Sequence, residues 1–209
     1  LTEKLVPSTP IGCKRLCVDT HYYEIYNQAH VSLVDLNETP ITRIEGNAIL
    51  TGTIRCEVDA IVLATGFDAM TGAVMNIDIR GKNGLSLQDK WATGPKAYLG
   101  LATAGFPNLF LVTGPGSPSV LSNMLPSIEQ HVEWIASCIE FMDRHQHRSI
   151  DPDRDAEEAW IEHVNEVADT SVYPGCNSWY LGANVEGKSR VFMPYLGVPP
   201  YVEKCNEVV

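Results

Sequence analysis

Val58-Asp59-Ala60-Ile61-Val62-Leu63-Ala64-Thr65-Gly66-Phe67-Asp68-Ala69-Met70-Thr71-Gly72 is the stretch on which the reading of this chain turns. The apolar run Ala60–Ala64 does not alternate with polar residues. A strand with that pattern is expected to be buried on both faces, as in a parallel sheet. It ends in the small residues Ala64, Thr65 and Gly66, where a backbone can come close to a flat cofactor.

Upstream, residues 1–12 carry Pro7, Pro10 and Gly12 and predict an irregular connection. A short helix is expected over Tyr22–Asn27 and a strand over Val31–Asp35. Ile41–Ile44 and Ala48–Leu50 flank Glu45-Gly46-Asn47, which reads as a hairpin with a glycine turn leading on to Arg55–Asp59. Downstream, residues 71–101 predict loops with a short helix near Leu87–Trp91. Asn108–Thr113 reads as a second buried strand, closed by the breaker cluster Gly114-Pro115-Gly116-Ser117-Pro118. A long amphipathic helix follows over Ser122–Arg144, with Ile128, Val132, Ile135, Ile139 and Met142 on one face. A second is expected over Asp153–Asp169, with an acidic first turn and Trp160, Val164 and Val167 inside. The tail from Tyr173 predicts loop, with a possible strand at Ser189–Met193. Strand, glycine turn and helix in that order make the fold class α/β.

The net charge of −11 argues against nucleic acid or an anionic membrane as partner, and no apolar run is long enough to span a bilayer. Cys13, Cys17, Cys56, Cys138, Cys176 and Cys205 show no zinc-finger spacing and read as free thiols of a cytoplasmic protein. Leu1 is not an initiator methionine, so the chain is expected to be part of something longer.

Three places could carry chemistry. The start of the long helix, Ser122-Asn123-Met124, offers backbone N–H groups and a positive dipole end to a reduced flavin, or is a plain glycine-loop connection. Lys14-Arg15 places two cations together in an acidic chain, either for phosphate and oxygen anions or as solvated surface charge. Trp179-Tyr180 lies in a glycine- and asparagine-rich loop and suits either a lid or an aromatic anchor for the tail. The histidines form no Ser-His-Asp arrangement, and the acidic cluster Asp151–Glu158 lacks the glycine and glutamate of a calcium loop.

Taken in order, these pieces resemble the Baeyer–Villiger monooxygenases of the cyclohexanone and phenylacetone type. The matching segments are Gly12-Cys13-Lys14-Arg15, Asp19-Thr20, Tyr22-Tyr23-Glu24, Val31–Asp35, Ala64–Gly72, Asp78–Gly81 and Tyr98-Leu99-Gly100. Gly105–Leu109, Gly114–Leu125, Ile128–Trp134, Trp179-Tyr180 and Gly182-Ala183-Asn184 continue the match. The resemblance implies the C-terminal part of a flavoprotein with two dinucleotide-binding domains, both Rossmann-like and both incomplete here. Residues 1–58 would close the NADP domain and 59–209 the FAD domain, with a mobile loop over substrate and NADP.

The resemblance further implies FAD and NADP(H) as cofactors, and a ketone and O2 as substrates. A C4a-peroxyflavin would insert one oxygen atom beside the carbonyl to give an ester or lactone. It makes Arg15 the catalytic arginine and Lys14 the NADP 2′-phosphate contact, and it folds Trp179 over NADP. Thr65, Gly66, Phe67, Asn123 and Met124 would meet the cofactors, and Ser119, Val120, Leu121, Met124 and Leu125 the substrate. The family's two Gly-x-Gly-x-x-Gly loops and its Phe-x-Gly-x-x-x-His-x-x-x-Trp fingerprint are absent from this sequence, and Gly114-Pro115-Gly116 does not replace them. The isolated chain is therefore expected to be inactive without an N-terminal half, in the same or a separate chain. A non-catalytic remnant serving as a binding module, and a related N- or S-oxygenating flavoprotein, are the alternatives.

Overall fold

The structure is a computed structural model and describes residues 2–208. It is mixed α/β and divides into two units. Residues 1–8 and 16–66 form the first, and residues 9–15 and 67–209 the second.

The first unit opens with a short helix, α1 (Thr2–Leu5), where an irregular connection is expected. A 3-10 turn at Glu24–Asn27 occupies the predicted short helix. The hairpin forms as its turn chemistry dictates: β1 (Ile41–Glu45) and β2 (Ala48–Thr51) pair antiparallel about Gly46, whose φ of 61° is left-handed. β3 (Arg55–Glu57) adds to β2 and completes a three-stranded antiparallel sheet in the order β1-β2-β3.

Two expected strands are corrected here. Val31–Asp35 has no strand structure. Neither does Ala60–Ala64, and Val62 and Leu63 are 86% and 77% exposed rather than buried. A parallel strand exists only through the ladder and packing of its neighbours. Among the described residues no strand pairs with this run.

The second unit contains α2 (Gly72–Met75), α3 (Leu87–Lys90), α4 (Met124–Arg144), α5 (Arg154–Asp169) and α6 (Val198–Asn206). α4 starts where Asn123 caps it, its side chain accepting from the Leu125 amide, and Pro126 falls harmlessly in the first turn. Asp153 caps α5 by accepting from the Asp155 and Ala156 amides. α6 is a helix where loop is expected. Pro199-Pro200 reads as a breaker, yet in a first turn the missing N–H groups have no intrahelical partner to lose.

The helix faces also differ from the expected stripes. α4 buries Ser127, His131, Trp134 and Cys138, while Val132 and Ile139 are exposed. α5 buries Glu157, Trp160, Val164 and Ala168, with Val167 only half-buried. Aliphatic periodicity alone misplaces the inward line because a histidine and a glutamate lie on it. These faces meet α6 and the tail in a core that includes Leu99, Leu101, Trp134, Trp160, Tyr180, Tyr195 and Tyr201.

Glu157 enters that interior because it is fully partnered. It forms an ion pair with Lys90 at 2.7 Å and accepts from Thr103 Oγ1 at 3.0 Å and the Ala104 amide at 2.8 Å.

The expected strand Asn108–Thr113 is not a strand either. It is an extended turn with a single bridge, Ala102 to Phe110, and a hydrogen bond from the Leu111 amide to the Leu101 carbonyl at 2.7 Å. Ser189–Met193 is likewise irregular. The expectation of six free thiols is overturned as well: Cys13 and Cys176 are joined in a disulfide, their Cα atoms 5.4 Å apart across 163 residues of sequence. Such a pairing is a matter of three-dimensional proximity, which spacing does not reveal.

Candidate active-site cleft

A cleft of about 760 Å³ opens in the second unit. The turn before α2 supplies Phe67, Ala69 and Met70, and α2 supplies Ala73 and Val74. The Phe110–Pro115 segment forms another wall, and Ser119, Val120 and Met124 come from the approach to α4. Trp179 reaches it from the tail. Phe67, Ser119, Val120, Met124 and Trp179, all candidates from the sequence, thus line one cavity.

The cleft wall is conformationally strained. Met70, Thr113 and Ser119 are non-glycine residues with φ of 70°, 56° and 29°. For a β-branched threonine such a backbone is an outlier, and strain of this kind concentrates at functional sites. The glycines of Gly114-Pro115-Gly116 have a packing role. A Cβ at Gly114 would stand 2.5 Å from the Gly100 carbonyl, and one at Gly100 would stand 2.7 Å from Ser117. Turn lies directly on turn, and close packing is what calls for glycine at these positions.

Other candidates lie apart from the lining. Leu121 packs against the hydrophobic core and Leu125 is exposed. Asn123 is engaged in capping α4, and the Ser122 amide donates to the Ser119 carbonyl. Thr65 and Gly66 belong to the first unit. Lys14 and Arg15 are exposed, and the Cys13–Cys176 disulfide ties their segment to the loop that carries Trp179. Burial dominates the Tyr180 hydroxyl and, with Tyr173, pushes its pKa up. Against it a backbone hydrogen bond with Arg15 and the Arg15 charge pull the pKa down, and the net shift is upward.

Sequence reasoning missed the latch on this tail loop. The Asn184 side chain donates to the Phe67 carbonyl at 3.0 Å, and Lys188 pairs with Asp68 and donates to the Ala69 carbonyl. Phe67 itself is 93% exposed, at the cleft mouth. No periodicity or motif links Lys188 to Asp68, 120 residues away. The disulfide was missed for the same reason.

No family model matches the chain. Individual proteins do. A Baeyer–Villiger monooxygenase of Pseudooceanicola batsensis is 39% identical over 210 residues, covering 100% of this chain and 38% of that protein. Phenazine N-monooxygenase of Lysobacter antibioticus is 42% identical over 208 residues, covering 99% and 38%. Among solved structures, the OTEMO complex with FAD and NADP superposes with a TM-score of 0.91 at 37% identity, over 99% of this chain and 38% of its own. The chain therefore spans about 38% of the length of the relatives it matches. Among the described residues, no helix is long and apolar enough to cross a membrane.

Proposed function

Because the chain matches the C-terminal part of the Baeyer–Villiger monooxygenases, we propose that it forms the substrate-side wall of an FAD- and NADPH-dependent enzyme. That enzyme would insert one oxygen atom of O2 beside a ketone carbonyl and release an ester or lactone. The observation that carries the reading is the cleft, about 760 Å³ in volume and walled by Phe67, Val74, Phe110, Val112 and Trp179. It suits a flat heterocycle and a small carbonyl compound.

Bound FAD supplies the redox chemistry that activates O2, with reducing equivalents from NADPH. This chain's residues supply the surroundings. Met70, Val112, Val120 and Met124 exclude water from the reacting carbonyl. Ser119 shapes the substrate end, backed by Leu121 from the core, and Asn123 orders the start of α4. Phe67, at the mouth of the cleft, meets the flavin ring. Trp179 covers NADP, Lys14 takes its 2′-phosphate, and Arg15 offers a guanidinium to negative charge developing on oxygen. The pyrophosphates call for residues beyond those described, so the partner is an N-terminal half, in the same or a separate chain.

Combining the chain with that half should give NADPH-dependent, ketone-stimulated O2 uptake and an ester. Arg15→Ala should abolish the ester while flavin binding survives; ester at the parental rate would remove the role given to Arg15. A second reading, N-oxygenation, is favoured by the likeness to phenazine N-monooxygenase. An N-oxide formed at the ring nitrogen of an aromatic N-heterocycle, with no ester from any ketone, would select it. No O2 uptake by an assembly shown to hold FAD would leave a non-catalytic binding module.

A further inference from the structure

We propose that His131 is a positioning residue for the cleft: its imidazole bridges the Thr113 amide to the Tyr201 hydroxyl and so holds the Thr113 turn in the cleft wall. His131 lies on the inward face of α4, with 0% of its surface exposed. Its Nδ1 stands 2.9 Å from the Thr113 amide nitrogen. Its Nε2 stands 3.0 Å from Tyr201 Oη, which donates to the Leu99 carbonyl at 2.8 Å.

One proton arrangement satisfies this chain of bonds. A backbone amide only donates, so Nδ1 carries the lone pair. The neutral ring's one hydrogen is then on Nε2 and donates to Tyr201 Oη, whose own proton serves the Leu99 carbonyl, with the Cys205 thiol also hydrogen-bonded to this hydroxyl. A second ring proton would set N–H against N–H at Thr113. Burial agrees with the neutral form, lowering the His131 pKa to about 4.

The two ends of the relay are the strained points of the turns it joins. Thr113 and Leu99 have φ of 56° and 55°, a conformation that non-glycine residues keep only when their surroundings impose it. Thr113 lines the cleft between Val112 and Gly114. Loss of its anchor would let this wall relax toward ordinary backbone and displace both neighbours. The geometry stands on its own, whereas its consequence for turnover rests on the function proposed above.

Two conservative variants separate the two ends of the ring. In His131→Asn the amide oxygen falls where Nδ1 lies and can still accept from Thr113. In His131→Gln the longer side chain reaches Tyr201 and leaves Thr113 without its acceptor. In the 209-residue chain, labelled with 15N, the His131 nitrogens should show a bare Nδ1 and a protonated Nε2 at pH 6. An imidazolium, or the opposite tautomer, would overturn the relay. Hydrogen exchange at the Thr113 amide should rise roughly 100-fold in His131→Gln and stay near parental in His131→Asn; equal exchange in both overturns the anchor.

Combined with the N-terminal half, His131→Gln should raise the ketone KM about tenfold, with the rate of flavin reduction by NADPH unchanged and KM restored in His131→Asn. Parental KM in both variants would overturn the role in the cleft, whatever the exchange data show. If the parent makes no ester, the proposed function fails, and the tautomer and exchange still decide whether His131 holds Thr113. If a variant does not fold, the tautomer in the parent decides the relay.

Discussion

Ala60–Ala64 and Leu109–Thr113 are both short, mainly apolar runs followed closely by a glycine, yet they reach opposite states. In the first, Val62 and Leu63 are exposed. In the second, Leu111 is 7% exposed, its amide is bonded to Leu101, and His131 caps the Thr113 end. The difference lies in the neighbours. The second run finds the Tyr98–Ala102 turn and α4 within its own unit, and an apolar segment gains stability only from the surface it covers. Both runs read as buried strands in the sequence, and neither is a strand.

The contrast can be broken from its support outward. Glu157→Ala leaves the largely buried Lys90 without its charge partner, with the Ala104 carbonyl as its remaining acceptor, and should cost about 3–5 kcal/mol. Urea unfolding would check this, and a loss below about 1 kcal/mol would show that the ion pair does not hold this region. Next comes pH. His131 has a folded pKa of about 4, below the ordinary 6.5. The unfolded state therefore binds the extra proton first, and the stability tied to the neutral ring is complete above pH 6.5 and declines as pH falls toward 4. The shift amounts to about 3 kcal/mol. The difference between parent and His131→Asn, measured at pH 7 and again at pH 4, should show that slope; parallel curves would contradict it.

The most direct comparison follows. Leu111→Ala should cost about 2 kcal/mol, at the low end for a buried leucine because it borders an open cleft. Val62→Ser should change the stability of the chain by under about 0.5 kcal/mol. Equal losses would mean that both runs are packed alike. In the presence of the N-terminal half, the Val62 effect should grow if that half supplies the missing neighbours. The latch is expected to contribute little as well. Lys188→Ala should cost at most about 1 kcal/mol, as expected of a partly exposed ion pair. Proteolysis within residues 182–190 should nevertheless quicken.

Local patterns were legible. The hairpin about Gly46, α3, α4 and α5 stand where turn residues, caps and 3.6-residue periodicity place them. Phe67, Ser119, Val120, Met124 and Trp179 line one cavity, and their roles there belong to the function proposed above. The buried lines of α4 and α5 were not legible, because His131 and Glu157 look like surface residues until their partners are seen.

By itself, then, the sequence determined the local elements, the acidic character of the chain and its likeness to a flavin-dependent family. These depend on short-range chemistry or on the order of motifs. The tertiary structure alone decided which apolar run is covered, that Cys13 meets Cys176, and that a neutral histidine anchors a strained threonine in the cleft wall. Each of those joins groups distant in the chain, and burial and hydrogen bonding depend on what stands beside a residue in space.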